Sequence, residues 1–406
     1  MERKNAWAAY AGDDGRVEAF AKAYCDFINN GKTERECVAY GEKLAKAHGF
    51  EDLNAVVRSG RKLEAGARVY ANWMGKSFML FVLGEKPLEE GMNILGAHID
   101  SPRIDVKQNP LYEDTDLAYL DTHYYGGIKK YQWVAIPLAL HGVIVRKTGE
   151  KVIINIGEDE NDPVFCISDL LVHLAQEQMT KNAKEVVEGE ALNLIVGGRP
   201  LEGEEKDAVK ANVLKLLADK YGVEEEDFLS AELEIVPAGK ARDMGFDRSM
   251  ILAYGHDDRV CAYPSMMAVL DYEGTPEYTL CCIVTDKEEI GSVGATGMAS
   301  HYLENTVAEL YACTADYCEL AVRRCLRNSR MLSSDVSAGY DPNFASAFEK
   351  KNSAFLGRGI CFNKFTGSRG KSGSNDANPE FMASLRKIMD DAGVAFQTAG
   401  LGRVDL

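Results

Sequence analysis

Between residues 13 and 30, the side chains Val17, Phe20, Tyr24, Phe27 and Ile28 recur at the spacing of one helical face, and Gly31 follows as a stop. Thr33 with Glu36 makes a T-x-x-E capping-box pattern, which predicts a second helix ending near Gly49. ARVYANWMGKSFMLFVLG (67–84) predicts a hairpin turning at Gly75. MNILGAHID (92–100) predicts a short apolar strand running into polar residues.

The pattern changes after about residue 105. Short β-like runs and turns follow to about 157, with a hairpin around Thr148-Gly149 in LHGVIVRKTGEKVIINIG. CISDLLVHLAQEQ (166–178) and VKANVLKLLADKYG (209–222) predict helices, and AELEIVP (231–237) a strand. After about 244, strands and helices alternate. MILAYG, YTLCCIVT and VAFQTA read as strands; RVCAYPSMMAVLDY, GATGMASHYLENTVAELYAC and DANPEFMASLRKIMDDAG read as helices. The layout predicted is an α/β domain made of 1–105 and 244–406, interrupted by a β-rich insertion at 106–243.

Composition narrows the function classes. A chain of 406 residues, 46% hydrophobic and 27% charged, has ample material for a core. A formal net charge of −17 argues against binding nucleic acid or anionic membranes through the whole surface, leaving room only for a local basic pocket. The 10 cysteines form no C-x-x-C pair and lie mostly in apolar segments, the pattern of a reducing compartment. The start, MERKNAWAAYAGDD, has no apolar h-region, and no uninterrupted apolar stretch reaches a membrane-spanning length. The expectation is a cytoplasmic protein.

Candidate chemistry gathers where apolar segments end. ILGAHID ends in His98 and Asp100, and ILAYGHDD in His256, Asp257 and Asp258. CCIVTDKEE ends in Asp286, Glu288 and Glu289, and RMLSSD in Asp335. Ligands of open α/β sheets bind beyond the carboxyl ends of the strands, so these ends are expected to meet. Imidazole and carboxylates without thiolate suit a hydrolytic zinc, cobalt or manganese centre, and two such ions can share a carboxylate and a water. In His98-x-Asp100 the two side chains share a face, which lets Asp100 take the ring N–H and set the tautomer. Of Glu288 and Glu289, one is expected to bind metal and the other to move the proton. Each motif alone also has an ordinary explanation: a solvated loop for the paired glutamates, helix N-cap acids for Asp257-Asp258.

GAHIDSPR (96–103), YGHDDRVCAY (254–263), TDKEEIGSVGATG (285–297), SSDVSAGYDPNF (333–344) and TGSRGKSGSNDAN (366–378) together resemble the M18 family of metallo-aminopeptidases, the aspartyl aminopeptidase family, over nearly the whole chain. The resemblance implies a phosphorylase/hydrolase-like three-layer α/β catalytic domain carrying an inserted β-rich dimerisation domain. It implies two divalent metal ions, usually zinc, peptide substrates, and a homo-oligomeric dodecamer built from dimers. It implies His98 and Asp335 as ligands of one metal, Asp100 orienting His98, Asp257 bridging, Glu288 as general base and Glu289 on the other metal. His173 is placed like a histidine that reaches a neighbouring subunit's active site, and Lys364 like a contact for substrate carboxylate.

Two departures qualify this picture. The stretch after Asp335, DVSAGYDPN, has no histidine where the family often has substrate-contacting ones, so neutral N-terminal residues join acidic ones as expected substrates. The resemblance also implies a further C-terminal segment with a metal-binding histidine, whereas no histidine follows His301 before Leu406. The expectation is a chain lacking that segment, with an incomplete Glu289 site unless another residue or subunit completes it. Three readings therefore stand: an active aminopeptidase, a catalytically impaired shell protein of the same family, and a related dinuclear carboxypeptidase or deacylase.

Overall fold

The computed structural model describes residues 5–366 and 375–403. The middle of TGSRGKSGSNDAN, at 367–374, and the ends of the chain lie outside the described residues. The chain forms two compact units, one of Met1–Ala23 with Asp335–Leu406 and the other of Tyr24–Ser334.

The larger unit contains two six-stranded sheets. The first runs in the order Glu51–Asp52, Arg68–Trp73, Ser77–Val82, Thr279–Thr285, Met92–His98, Arg330–Ser333. Its last three strands are parallel, with Thr285 registered against His98, so their carboxyl ends face one side. Thr279–Thr285 is apolar nearly throughout because it lies between two strands with both faces covered. On one face Met79, Phe81, Ile94, Cys281 and Ile283 pack with Val307 and Leu310 of the helix Tyr302–Thr314 and with Val322 and Cys325 of Glu319–Asn328. The side chain next to Met79 along the strand, Phe78, points to the opposite face. There it meets the helix Glu34–Ala47, where a Cβ on Gly41 would sit 3.4 Å from the Phe78 ring and 3.3 Å from Met266 Sδ of His256–Leu270. Helices on both faces of a largely parallel centre make this an α/β fold of three layers.

The second sheet is wholly antiparallel, in the order Lys151–Ile156, Leu138–Val145, Ala231–Pro237, Arg103–Asp114, Leu117–Tyr125, Leu194–Gly197. Its core of Ile104, Leu120, Leu138, Leu140, Leu233 and Ile235 is covered by Val213 and Leu217 of the helix Ala208–Tyr221. The chain enters this sheet at Arg103, a short step beyond His98.

Local signals match these elements where packing agrees with them. Thr33 caps Glu34–Ala47 with both arms of the capping box formed. The segment 166–178 does not form the expected helix; it runs through bridges and turns, with only Gln178–Thr180 in a short 3₁₀ turn. Asp169 Oδ1 accepts from Leu170 N–H at 2.8 Å and from Gln178 Nε2 at 3.0 Å, offering the backbone a local alternative. Leu170, Leu171, Val172 and Leu174 are exposed, so no packed face stabilises a helix there. The helix expected from Gly294 begins only at Tyr302. A Cβ on Gly297 would lie 2.2 Å from Ser292 O, so the chain there is folded tightly back on itself. MILAYG contributes only Met250–Leu252, paired with Arg242–Met244 outside the main sheet. The helices Leu53–Ser59 and Glu319–Asn328 were not foreseen.

In the smaller unit, Ile360–Asn363 pairs in parallel with Phe396–Ala399, and Asn378 caps the helix Pro379–Asp391 by accepting from Phe381 N–H. Asp335 and Lys364 belong to this unit and are exposed. Among the described residues no helix is long and apolar enough to cross a membrane.

Candidate metal centre

His98 closes the strand Met92–His98 and is buried. Its Nδ1 lies 3.0 Å from Asp100 O and 3.2 Å from Asp100 Oδ1, which directs Nε2 outward from the strand end. That Nε2 is 3.2 Å from Asp257 Oδ1 and 3.8 Å from Glu288 Oε2. Ligand atoms of His98, Asp257 and Glu289 all lie within 4.8 Å of one another.

Asp257 does not arrive on a strand of the main sheet, as the sequence pattern led us to expect. It stands in the first turn of the helix His256–Leu270, after Gly255 at φ +83°, and the Asp257–Asp258 peptide is cis. The Asp257 carbonyl accepts from Ser101 Oγ, tying that turn to the end of the His98 strand. His256 turns away: its Nδ1 is 2.7 Å from Tyr24 Oη and its Nε2 3.0 Å from Ile251 O.

The two glutamates follow the strand Thr279–Thr285 in a single 3₁₀ turn, Glu288–Ile290, entered through Lys287 at φ +74°. Their backbone is held by Asp100: Glu288 N–H donates to Oδ1 and Glu289 N–H to Oδ2, each at 3.2 Å. Tyr125 Oη donates to the same Oδ2 at 2.7 Å. Burial pushes the Asp100 carboxyl upward, but His98 and Tyr125 outweigh it and hold it below the ordinary value. Glu289 shows the opposite balance, pushed up to about 7 by burial and then by Asp257. Gly126, at φ +73°, brings the backbone close to Glu289: a Cβ there would lie 3.3 Å from the Glu289 Cβ.

This arrangement fits a zinc ion. One imidazole and neighbouring carboxylates make the nitrogen–oxygen donor set of hydrolytic zinc, and the imidazole is fixed through its other nitrogen. Glu289, half-buried and beside Asp257, is raised first by burial and then by that neighbouring carboxylate.

Asp286, also a strand-end candidate, serves a buried ion network. Its Oδ2 is 3.6 Å from Lys76 Nζ and accepts from Thr296 Oγ1 at 2.6 Å. Lys76 Nζ also reaches Glu34 Oε1 at 2.8 Å and Glu232 Oε2 at 3.0 Å, and Arg103 pairs with Glu34, Asp105 and Glu234 at 3.3, 2.7 and 3.2 Å. Neither this network nor Tyr125 was foreseen. Tyr125 and Asp100 are 25 positions apart in different elements, so no local spacing relates them.

Of the remaining expected site residues, His173 is exposed on a turn rather than on a helix. Asp335 Oδ1 accepts from its neighbour Val336 N–H at 2.6 Å within the smaller unit. Lys364 lies just after the strand Ile360–Asn363.

The family described as "Aminopeptidase I zinc metalloprotease (M18)" matches residues 27–405. A probable M18 family aminopeptidase 1 of Clostridium acetobutylicum is 57% identical over 408 residues, covering 100% of this chain and 87% of that protein. The crystal structure of an M18-family aminopeptidase from Thermotoga maritima superposes with a TM-score of 0.93 at 43% identity, over 100% of this chain and 88% of that one. That of aminopeptidase I from Clostridium acetobutylicum gives 0.91 at 55% identity, again over 100% and 88%.

Proposed function

The chain belongs to the M18 family of zinc metallo-aminopeptidases, and on that premise we propose that His98, Asp257 and Glu289 hold metal while Glu288 moves the proton of peptide hydrolysis. The observation carrying this reading is the convergence of those three ligands within 4.8 Å, with Glu288 Oε2 only 3.8 Å from His98 Nε2. Bound zinc supplies Lewis acidity and a water acidified towards neutral pH. The protein supplies the rest. Asp100 holds the His98 ring so that Nε2 faces Asp257, and its other contacts fix the backbone of both glutamates. The Glu288 carboxylate, exposed to solvent, takes the proton of the attacking water and returns it to the leaving amine nitrogen.

The proposal includes two metal ions per subunit, of which Asp257 would be a shared ligand, as the sequence resemblance implies. The roles of Asp335, His173 and Lys364 rest on that resemblance. The stretch 106–243 is proposed as the dimerisation insertion of a homo-oligomer. Exposed Leu171, Val172 and Leu174 within it support this, being apolar surface that association would cover.

The test is release of N-terminal residues from a peptide panel with acidic and neutral first residues, after chelation and after return of zinc, cobalt or manganese. Release restored by metal is expected. No turnover with any metal sinks the reading, and release from the carboxyl end turns it towards a carboxypeptidase. Light scattering on the same preparation reads the assembly, for which a mass above one chain is expected; a monomer at assay concentration removes the homo-oligomer.

A further inference from the structure

We infer that Tyr125 is a positioning residue of the metal centre, through which the antiparallel sheet fixes Asp100 and, with it, both His98 and the Glu288-Glu289 turn. The inference rests on the metal-binding reading above and deepens it.

Asp100 is fully buried and occupies the middle of the site. Its Oδ1 faces His98 Nδ1 at 3.2 Å and accepts from Glu288 N–H; its Oδ2 accepts from Glu289 N–H and from Tyr125 Oη. A carboxylate rotating about its last bond would swing all of these contacts together. Of the two donors on Oδ2, the Tyr125 hydroxyl is the closer, at 2.7 Å against 3.2 Å, and it is the one fixed from outside the loop. The backbone N–H groups of 288 and 289 belong to the turn that has to be positioned, so they cannot also be its reference frame.

Tyr125 has such a frame. It ends the strand Leu117–Tyr125 and is paired in register with Arg103. The Arg103 guanidinium stacks 3.9 Å from the centre of the Tyr125 ring, and is itself held by Glu34, Asp105 and Glu234. Tyr125 is buried, so neither its ring nor its hydroxyl has solvent freedom to explore. The hydroxyl is therefore presented to Asp100 at an angle set by the second sheet. Such outer hydrogen bonds typically govern metal affinity by 10–100-fold.

An ordinary alternative is a tyrosine that merely satisfies a buried carboxylate. The two differ in what they move. A merely structural tyrosine changes the stability of the metal-free protein and leaves zinc affinity alone. A positioning tyrosine changes zinc affinity and kcat.

The experiment measures zinc affinity by competition with a chromophoric chelator in the full-length wild type, Y125F, D100N, Y125F/D100N, H98A and, as a neighbouring control, Y124F. For Y125F the zinc dissociation constant is expected to rise about 10–100-fold, with kcat lowered and KM within about twofold. Amide exchange at 288 and 289 is expected to quicken, and Y124F to match wild type. Because Tyr125 acts through Asp100, Y125F is expected to change little further in the D100N background. A Y125F dissociation constant within twofold of wild type overturns the inference, as do effects of Y125F and D100N that simply add. H98A separates the two levels: if it keeps wild-type zinc affinity, the metal-binding reading itself fails. If H98A loses zinc while Y125F does not, only the inference about Tyr125 fails.

Discussion

Glu288→Gln is expected to lower kcat by about 10²–10⁴-fold while leaving zinc content and KM near wild type. The amide has nearly the shape of the carboxylate and keeps the backbone N–H that donates to Asp100 Oδ1 at 3.2 Å, so the turn and the Glu289 side chain stay where they are. What is lost is the capacity to take a proton beside His98 Nε2, 3.8 Å away. The loss is expected chiefly in the transition state, where the proton is transferred. Metal analysis of the purified variant and steady-state release of N-terminal residues read the two halves of the expectation. Activity within twofold of wild type would remove Glu288 from the role of base; loss of zinc together with activity would make it a ligand instead.

Lys76→Met is expected to destabilise the fold by about 3–5 kcal/mol, read as a lower urea midpoint with an unchanged slope. Lys76 Nζ faces Glu34 and Asp286, both fully buried, as well as Glu232. Burial pushes Glu34 up, yet Arg103 and then Lys76 outweigh it and hold its carboxyl well below the usual range. Methionine fills the space of the lysine stem but removes the charge, leaving Glu34 with Arg103, Glu232 with Arg35 and Asp286 with Lys287 as their remaining cations. A surface pair provides the contrast. Lys46 and Glu42 approach to 2.6 Å, but Lys46 is largely exposed, and Lys46→Met is expected to move the urea midpoint far less than Lys76→Met. If the two substitutions cost the same, the buried network contributes nothing special. The Lys76 change also reaches the turn that carries Glu288 and Glu289. Asp286 accepts from Thr296 Oγ1, and its backbone N–H meets Ser77 Oγ, so the same cluster anchors both ends of the loop that carries Glu288 and Glu289.

What could be read from the sequence, and what could not, follows from the range of the forces involved. Thr279–Thr285 and Met92–His98 are legible because a strand covered on both faces must be apolar throughout, and that requirement is written residue by residue. The Thr33 capping box is legible because its two hydrogen bonds close within one turn. The segment 166–178 misleads for the converse reason. Its apolar spacing is helical, but the surface that would reward a helix is missing, and Asp169 satisfies the backbone locally. The site divides in the same way. His98, Asp100 and the paired glutamates stand out at strand ends, and Asp257 stands out by its motif, though it comes from a helix turn and not from the sheet. Tyr125 and Lys76 do not stand out at all. Each acts on partners far along the chain, and a lone tyrosine at a strand end or a lysine in a hairpin turn has no local mark of that duty.

The pairing of Met92–His98 with Thr279–Thr285 has a consequence for how the protein is made. The strand that brings the histidine and the strand that leads to the glutamates are neighbours in the sheet, with Thr285 against His98. Along the chain, roughly 190 residues separate them, and the whole antiparallel sheet is synthesised in between. A ribosome adds about 5–20 residues per second, so His98 leaves the tunnel some ten to forty seconds before its strand's neighbour exists. During that interval the antiparallel sheet, contiguous from Arg103 to Pro237 apart from its own loops, has every strand it needs. The candidate metal centre thus cannot assemble until Thr285 and the glutamate turn after it have emerged, long after the antiparallel sheet has all its strands.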